Sequence, residues 1–157
     1  NEDSCREVYD FYVKNKKSFE ISEPLEPETF TEQYFRDILR YEHRMILKGE
    51  LLRFWAISKA EPGRVMGTIS FRDIKRGAFQ SCTVGYKIDE EYRGMGYGTE
   101  LVSFGVDLIL NEAKLHRIEA TVLPDNEPSI KLLENLDFKR EGFLKQKIKL
   151  KGEDLNG

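Results

Sequence analysis

Cysteine and histidine are scarce in this chain, two of each in 157 residues. Cys5 and Cys82 lie too far apart for metal-ligand spacing and are too few for a disulfide framework, so no metal is expected and a reduced compartment is the default. His43 and His116 have no cysteine, serine or carboxylate partner at a recognisable spacing, which leaves them to packing or the surface. Long apolar runs are missing as well: none approaches the ~20 residues of a membrane helix. With no secretory leader in view either, a cytoplasmic protein without a membrane partner is expected. Positive charge is not in excess. A formal net charge of -3 offers nucleic acid and anionic lipid nothing to hold. There is no internal repeat or low-complexity tract, and 39% hydrophobic residues suffice for one domain over 1–157 to bury a core.

Glycine, by contrast, is concentrated where it matters. Tyr92-Arg93-Gly94-Met95-Gly96-Tyr97-Gly98-Thr99 lies between the apolar run Cys82 to Ile88 and a second one, Leu101 to Ala113. Glycines at every second position, after a strand and opening a helix, suit a loop that turns its N–H groups inward around an anion. The helix start adds unpaired N–H groups and the positive end of its dipole, so the natural guest is a phosphate. A P-loop needs Lys then Ser or Thr after its last glycine, and here Thr99 and Glu100 follow, which argues against a nucleotide triphosphatase. The dinucleotide fingerprint fails too, because counting from Gly94 puts Thr99 where its third glycine belongs. A glycine turn without a ligand remains the plain alternative at this point.

Around this loop the pattern is mixed. Asp3 to Lys17 places Cys5, Val8, Phe11 and Tyr12 on one side of a helix, with Asn15 to Lys17 as its solvated end. Ser22 to Pro27 reads as a loop, and Thr31 opens an amphipathic helix through Phe35, Ile38 and Leu39 that Gly49 stops. Leu51 to Ser58, Val65 to Ile74 and Gln80 to Ile88 are three strands joined by the turns Glu61-Pro62-Gly63 and Arg76-Gly77, hence antiparallel neighbours. A helix from Gly98 to Lys114, in which Gly105 permits close packing, crosses over to a strand at Arg117 to Leu123 that must run parallel to the third. A helix follows, from about Ser129 to Leu136. The tail alternates over Gln146 to Leu150 and turns at Lys151-Gly152.

From Val84 to Phe143 the chain resembles the GNAT superfamily of acetyl-CoA-dependent N-acetyltransferases. Arg93-Gly94-Met95-Gly96-Tyr97-Gly98 matches its pyrophosphate signature. His116 to Ser129 and Phe138-Lys139-Arg140-Glu141-Gly142 are similar to its ribosomal-protein N-terminal branch. The resemblance implies an α+β GNAT fold: a mixed, mostly antiparallel sheet whose central parallel pair splays apart, with flanking helices. It also implies acetyl-CoA as cofactor. The pantetheine arm would enter the splay like an added strand beside Tyr86, Lys87 and Ile88. The pyrophosphate would rest on the amides of Arg93, Gly94, Met95, Gly96, Tyr97, Gly98 and Thr99, and Asn126 would contact the cofactor. Family members carry a strand before the first helix and another after the tail, so residues are expected to be missing at both places. A monomer or homodimer fits the resemblance.

For catalysis the resemblance points to Ser129, in the Asn-x-x-Ser pattern, as proton donor to the leaving sulfur; a first-turn serine that satisfies backbone amides is the alternative. Many GNAT members use a tyrosine one turn later, but Leu133 stands there, which argues against a tyrosine acid. Glu119 is the candidate base if its strand face looks into the splay, and a partner of a surface cation if not. The glutamate of some relatives has Ile148 in its place. Asp89, Glu90 and Glu91 would repel phosphate and are expected to face solvent or the acceptor amine, and Arg93 to share phosphate binding with the amides. Asp137 replaces a family glycine but tolerates a left-handed backbone. A mildly acidic surface suits cationic amines. The expected activity is acetyl transfer to a primary amine by direct attack in a ternary complex, the acceptor being the α-amine of a protein N-terminus such as a ribosomal protein. The alternatives are a small-amine acetyltransferase for a polyamine, amino sugar or amino-acid derivative, and a non-catalytic CoA-binding module.

Overall fold

The computed structural model describes residues 5–20, 31–78, 80–113, 115–144 and 147–153. The expected loop from Ser22 to Pro27 lies outside them. In chain order the elements are α1 (Cys5–Lys14), α2 (Lys16–Glu20), α3 (Glu32–Leu47), β1 (Leu52–Ile57), β2 (Val65–Lys75), β3 (Ser81–Ile88), α4 (Tyr97–Asn111), β4 (Arg117–Val122), α5 (Glu127–Asn135), β5 (Lys139–Leu144) and β6 (Lys147–Glu153). The strands form one sheet in the order β1-β2-β3-β4-β6-β5. Every neighbouring pair is antiparallel except β3 and β4, which are parallel.

That parallel pair is short. Ser81, Cys82 and Thr83 face Arg117, Ile118 and Glu119, and the pairing then ends. β3 stays bound to β2 as far as Ile88, and β4 stays bound to β6 as far as Val122. Each strand is thus satisfied on its outer side while the inner edges part. The expected splay is there.

Side-chain alternation divides the sheet into two faces. On one, Phe54, Ile69, Phe71 and Val84 pack under α4 and α5 with Val102, Ile109 and Leu133. Apart from Phe54, which is partly buried, each of these buried side chains is worth about 1.5–3 kcal/mol of apolar burial. Gly105 is needed there, since a Cβ would stand 2.7 Å from Ile69 Cδ1 and 2.8 Å from Phe71 Cζ. On the other face α1 and α3 lay Cys5, Val8, Phe35 and Leu39 against Trp55, while Phe11 and Phe19 cover Val65. Thr31 caps α3 by accepting from the Tyr34 amide at 3.1 Å. Gly49, at φ 76°, follows its end.

Three expectations change. Asn15 is buried, not solvated: its Nδ2 donates to the Phe11 carbonyl at 2.9 Å and its Oδ1 accepts from the Glu90 amide at 2.9 Å. It separates two helices where one was expected, because Phe19 must turn inward. Lys151 and Gly152 form no turn, for β6 runs straight through them with Gly152 opposite Ile118. There a Cβ would come within 3.0 Å of Phe138, so that glycine makes room for a ring and does not bend the chain.

Candidate active site

The three loop glycines have two different reasons to be glycine. Gly94 and Gly96 sit at φ 77° and 84°, where a Cβ is strained. Gly98 is helical, and a Cβ on it would lie 3.1 Å from Leu132 Cδ1. Two left-handed turns and one close helix contact together set the loop. The Tyr92 and Arg93 amides bond back to Asp89 and Glu90, and the first helical bond is Glu100 N–H to the Gly96 carbonyl. Between them the amides of residues 94 to 99 have no backbone acceptor among the described residues. These are the free donors an anion requires, at the positive end of a 15-residue helix. Arg93 turns its Nε onto the Ile88 carbonyl at 3.3 Å, which ties the loop to the end of β3.

The acidic residues before the loop do not face solvent as a group. Asp89 is buried, accepts from the Glu91 amide at 2.9 Å, and meets Lys14 Nζ at 3.2 Å and an Arg64 nitrogen at 3.5 Å. Burial pushes its carboxyl pKa up, but the Glu91 amide, Lys14 and Asn15 outweigh that, and the net shift is downward. Glu91 shares Lys14 and Arg64 at 2.8 and 2.7 Å. Glu90 and Glu91 are exposed, as the solvent alternative has it, and only the buried Asp89 departs from the expectation: with Glu91 it clamps α1 and the β1–β2 turn to the start of the loop.

Beside the loop a cavity of about 420 Å³ opens between α1, α3 and the separating strands. Its inner wall is Val84 to Lys87 on β3 and Ala120 to Leu123 at the end of β4, closed by Asn126, Ser129 and Leu133. Of the expected contacts, Tyr86, Lys87, Asn126 and Ser129 thus line one space, and Ile88 leads from it into the loop. Asn126, and not Ser129, caps α5, with its Oδ1 accepting the Ser129 amide at 3.3 Å. The Ser129 hydroxyl is therefore not needed as a cap. It meets the Tyr86 hydroxyl at 2.5 Å. Burial pushes the Tyr86 pKa up, only partly offset by that bond, so the phenol keeps its proton at neutral pH. No tyrosine comes from α5, yet β3 brings one to the same serine.

Glu119 is not among the cavity-lining residues. It lies in the closed part of the parallel pair, beside Thr83, with Oε1 accepting from Arg117 Nε at 2.9 Å. Arg117 continues to Glu141 at 2.8 Å. The surface-cation alternative describes it. Charged residues lining the cavity, among those described, are Glu42, Arg53, Arg72 and Lys87. Glu42 and Arg53 form a bidentate pair at 2.7 and 3.2 Å, and Arg53 also donates to Thr68 Oγ1 and lies over the Trp55 ring. Three of these four lining residues are basic and one is acidic.

An open parallel pair thus lies beside a run of unbonded amides at a helix N-terminus, an arrangement with donors suited to a phosphate group. The acetyltransferase (GNAT) domain family matches residues 5–139, and the chain belongs to that family. It is 40% identical to the probable N-acetyltransferase YjcK of Bacillus subtilis over 73% of this chain and 62% of that protein. It is 27% identical to the ribosomal protein uS5-alanine N-acetyltransferase of Escherichia coli over 64% of this chain and 52% of that enzyme. The chain thus spans between half and two thirds of these relatives. The crystal structure of the ribosomal-protein-S5-alanine acetyltransferase of Vibrio fischeri superposes with a TM-score of 0.91 at 25% identity, covering 99% of this chain and 91% of that one.

The Tyr86 hydroxyl and the Glu42–Arg53 pair were not singled out from the sequence. Strand alternation does place Arg53, Thr68, Arg72 and Lys87 on one face. The meeting of Tyr86 with Ser129, 43 residues apart, depends on where α5 crosses the sheet and leaves no local trace.

Proposed function

We propose that this chain is an acetyl-CoA-dependent N-acetyltransferase acting on the α-amine of a protein N-terminus, ribosomal proteins among the candidates, in the cytoplasm. The observation that carries the reading is the early end of the β3–β4 pairing beside unbonded amides, with the Tyr86–Ser129 hydroxyls at its edge. The residues suit the cofactor. Amides 94 to 99 would hold the pyrophosphate, and the free inner edges of β3 and β4 would take the pantetheine as an extra strand. Acetyl-CoA, when bound, supplies an activated acetyl group and a sulfur leaving group.

This chain's own residues then have three tasks. Those β3 amides between Tyr86 and Ile88 that point into the gap and not at β2 would orient a carbonyl and stabilise negative charge on its oxygen. Ser129 Oγ–H gives a proton at the α5 side of the gap, and Tyr86 O–H donates to Ser129 in turn. Removal of the amine proton has no free carboxylate to serve it among the described lining residues, since Glu42 is held by Arg53. That absence selects the acceptor. An α-amine, pKa ~7.7–8.0, costs about 1–1.4 kcal/mol to deprotonate at pH 7 and can pass its proton to water, whereas a lysine-like amine costs about 4.6. A paired pair of hydroxyls also fits an active enzyme better than a decayed binding module.

The test is CoA release from acetyl-CoA with N-terminal peptides and with a small-amine panel. Turnover with peptides supports the reading. Turnover with small amines alone would replace it with the small-molecule reading, and binding without release with the module.

A further inference from the structure

A buried hydroxyl on the cavity floor has nothing to bond, and its place bears on where an acceptor sits, given the α-amine reading above. The buried polar residues, among those described, are Asn15, Ser58, Thr68, Ser70 and Asp89. All but Ser70 are satisfied: Asn15 donates to the Phe11 carbonyl, Ser58 accepts from the Glu61 amide, Thr68 donates to the Phe54 carbonyl and accepts from Arg53, and Asp89 accepts from the Glu91 amide and meets Lys14. Ser70 is 4% exposed, lines the cavity, and its hydroxyl has no partner among the described residues. Burying a hydroxyl without a partner costs stability that an alanine in its place would not. The bond it lacks is one a ligand can supply.

Sheet register fixes what surrounds it. Arg53, Ser70 and Gly85 stand opposite one another across β1, β2 and β3, and all three line the cavity. Arg53 is engaged by Glu42 and Thr68, so its donors are directed away from Ser70. Gly85 is not there for packing or for its backbone: a Cβ would meet nothing nearer than Ser70 Oγ at 3.7 Å, and its φ is not positive. A strand interior ordinarily disfavours glycine, so its effect here is the bare place it leaves beside that oxygen. The β3–β4 pairing has ended two residues earlier, at Thr83, so this place lies at the opened edge of β3. Tyr86, the next residue, points to the opposite face, where it meets Ser129. The unpartnered hydroxyl and the Tyr86–Ser129 pair thus flank the opened end of β3 from its two faces.

An attacking amine must be the free base and must turn its lone pair to the acyl carbon, which leaves its N–H groups to be held. A hydroxyl oxygen can accept one of them, whereas a carboxylate there would favour the ammonium form, whose lone pair is occupied. We propose that Ser70 binds the acceptor α-amine: its Oγ accepts an N–H of the free base over Gly85, and the nitrogen lone pair faces the gap between β3 and β4. The experiment compares the parent, Ser70→Ala and Gly85→Ala by CoA release with an alanine-headed peptide and with spermidine, by calorimetry with CoA, and by thermal unfolding. Ser70→Ala should lower kcat/KM for the peptide about three- to tenfold, the worth of one neutral hydrogen bond, with CoA affinity within about twofold of the parent and Tm unchanged or raised. Gly85→Ala has room for its methyl and should keep its Tm, but should lower kcat/KM at least about tenfold, because the methyl takes the place of the amine. A lowered Tm in Ser70→Ala would show a structural hydroxyl and overturn the proposal, as would full peptide turnover in either variant; α-amine transfer by the parent stands in both cases. Release by the parent with spermidine alone, or CoA binding without release, overturns the α-amine reading and this one together.

Discussion

Replacing Tyr86 by phenylalanine takes one oxygen from the site and leaves the ring that packs against the main core. What it removes is the only side-chain partner seen for the Ser129 hydroxyl among the described residues. A neutral hydrogen bond of this kind is worth about 1 ± 0.5 kcal/mol net, so loss of Ser129 orientation should lower kcat about three- to tenfold. Ser129→Ala removes the proposed proton donor and should cost about a hundredfold, the low end for general acid catalysis, because a thiolate with pKa near 8.5 departs with little help. If Tyr86 acts through Ser129, the double variant should be no slower than Ser129→Ala alone. Release of CoA followed with a thiol reagent gives kcat, and calorimetry with CoA gives an affinity that should stay within about twofold of the parent, since neither hydroxyl is needed to hold the carrier. The raised Tyr86 pKa adds a further check: no alkaline fall in kcat should appear below pH 9 from this group. Multiplying effects in the double variant, or a Tyr86→Phe enzyme with full activity, would refute the paired-hydroxyl account.

Gly96→Glu should abolish CoA binding measured by calorimetry, since it puts negative charge among the unbonded amides; left-handed strain of about 1 kcal/mol leaves the protein folded, and unchanged affinity would move the phosphate elsewhere. Asp89→Asn should destabilise the protein by about 3 kcal/mol in urea titrations at pH 7, because Lys14 and Arg64 lose the buried charge they surround. The folded pKa of Asp89 lies below its unfolded ~3.9, so its contribution is complete above that value and vanishes as pH falls through the folded pKa; the variant should lose less stability than the parent between pH 5 and pH 2. Gly105→Ala should cost about 1–2 kcal/mol despite alanine's helix preference, because its methyl would meet Ile69 and Phe71 under 3 Å away, and a raised Tm would show that α4 can lift.

Much of the architecture is legible along the chain because its signals are local. Turn chemistry at Gly63 and Gly77, alternation in β1 to β3 and the Thr31 cap each act within a few residues. The parallel pairing of β3 and β4 follows from one intervening helix, and even the left-handed Asp137, at φ 68°, agrees with its place before Phe138. What escaped is non-local and polar. Asn15 looks like a helix-end residue until Glu90 arrives from 75 positions away to use its carbonyl. Asp89 reads as surface charge until Lys14 and Arg64 converge on it. Glu119 shows the same limit from the other side: alternation fixed its face, but only the length of the β3–β4 pairing decided that it lies at the closed end, against Arg117.

Those non-local contacts also tie the two halves of the site together. Lys14 belongs to α1, which lines the cavity through Val8 and Tyr12, and Arg64 to the turn that leads into β2. Both hold Asp89 and Glu91, which lead directly into the amide loop, while Asn15 holds the Glu90 amide and Arg93 holds the end of β3. Under the proposed function, a carrier held by that loop would be fixed relative to α1 and α3 on the acceptor side. Reaction between two bound molecules depends on that alignment, and misplacement of about 1 Å can cost a hundredfold in rate. The buried Asp89 carries a desolvation cost that an apolar residue would avoid. Its placement at the junction accounts for keeping a charge there, because no apolar side chain could draw α1, the β1–β2 turn and the loop to a single point.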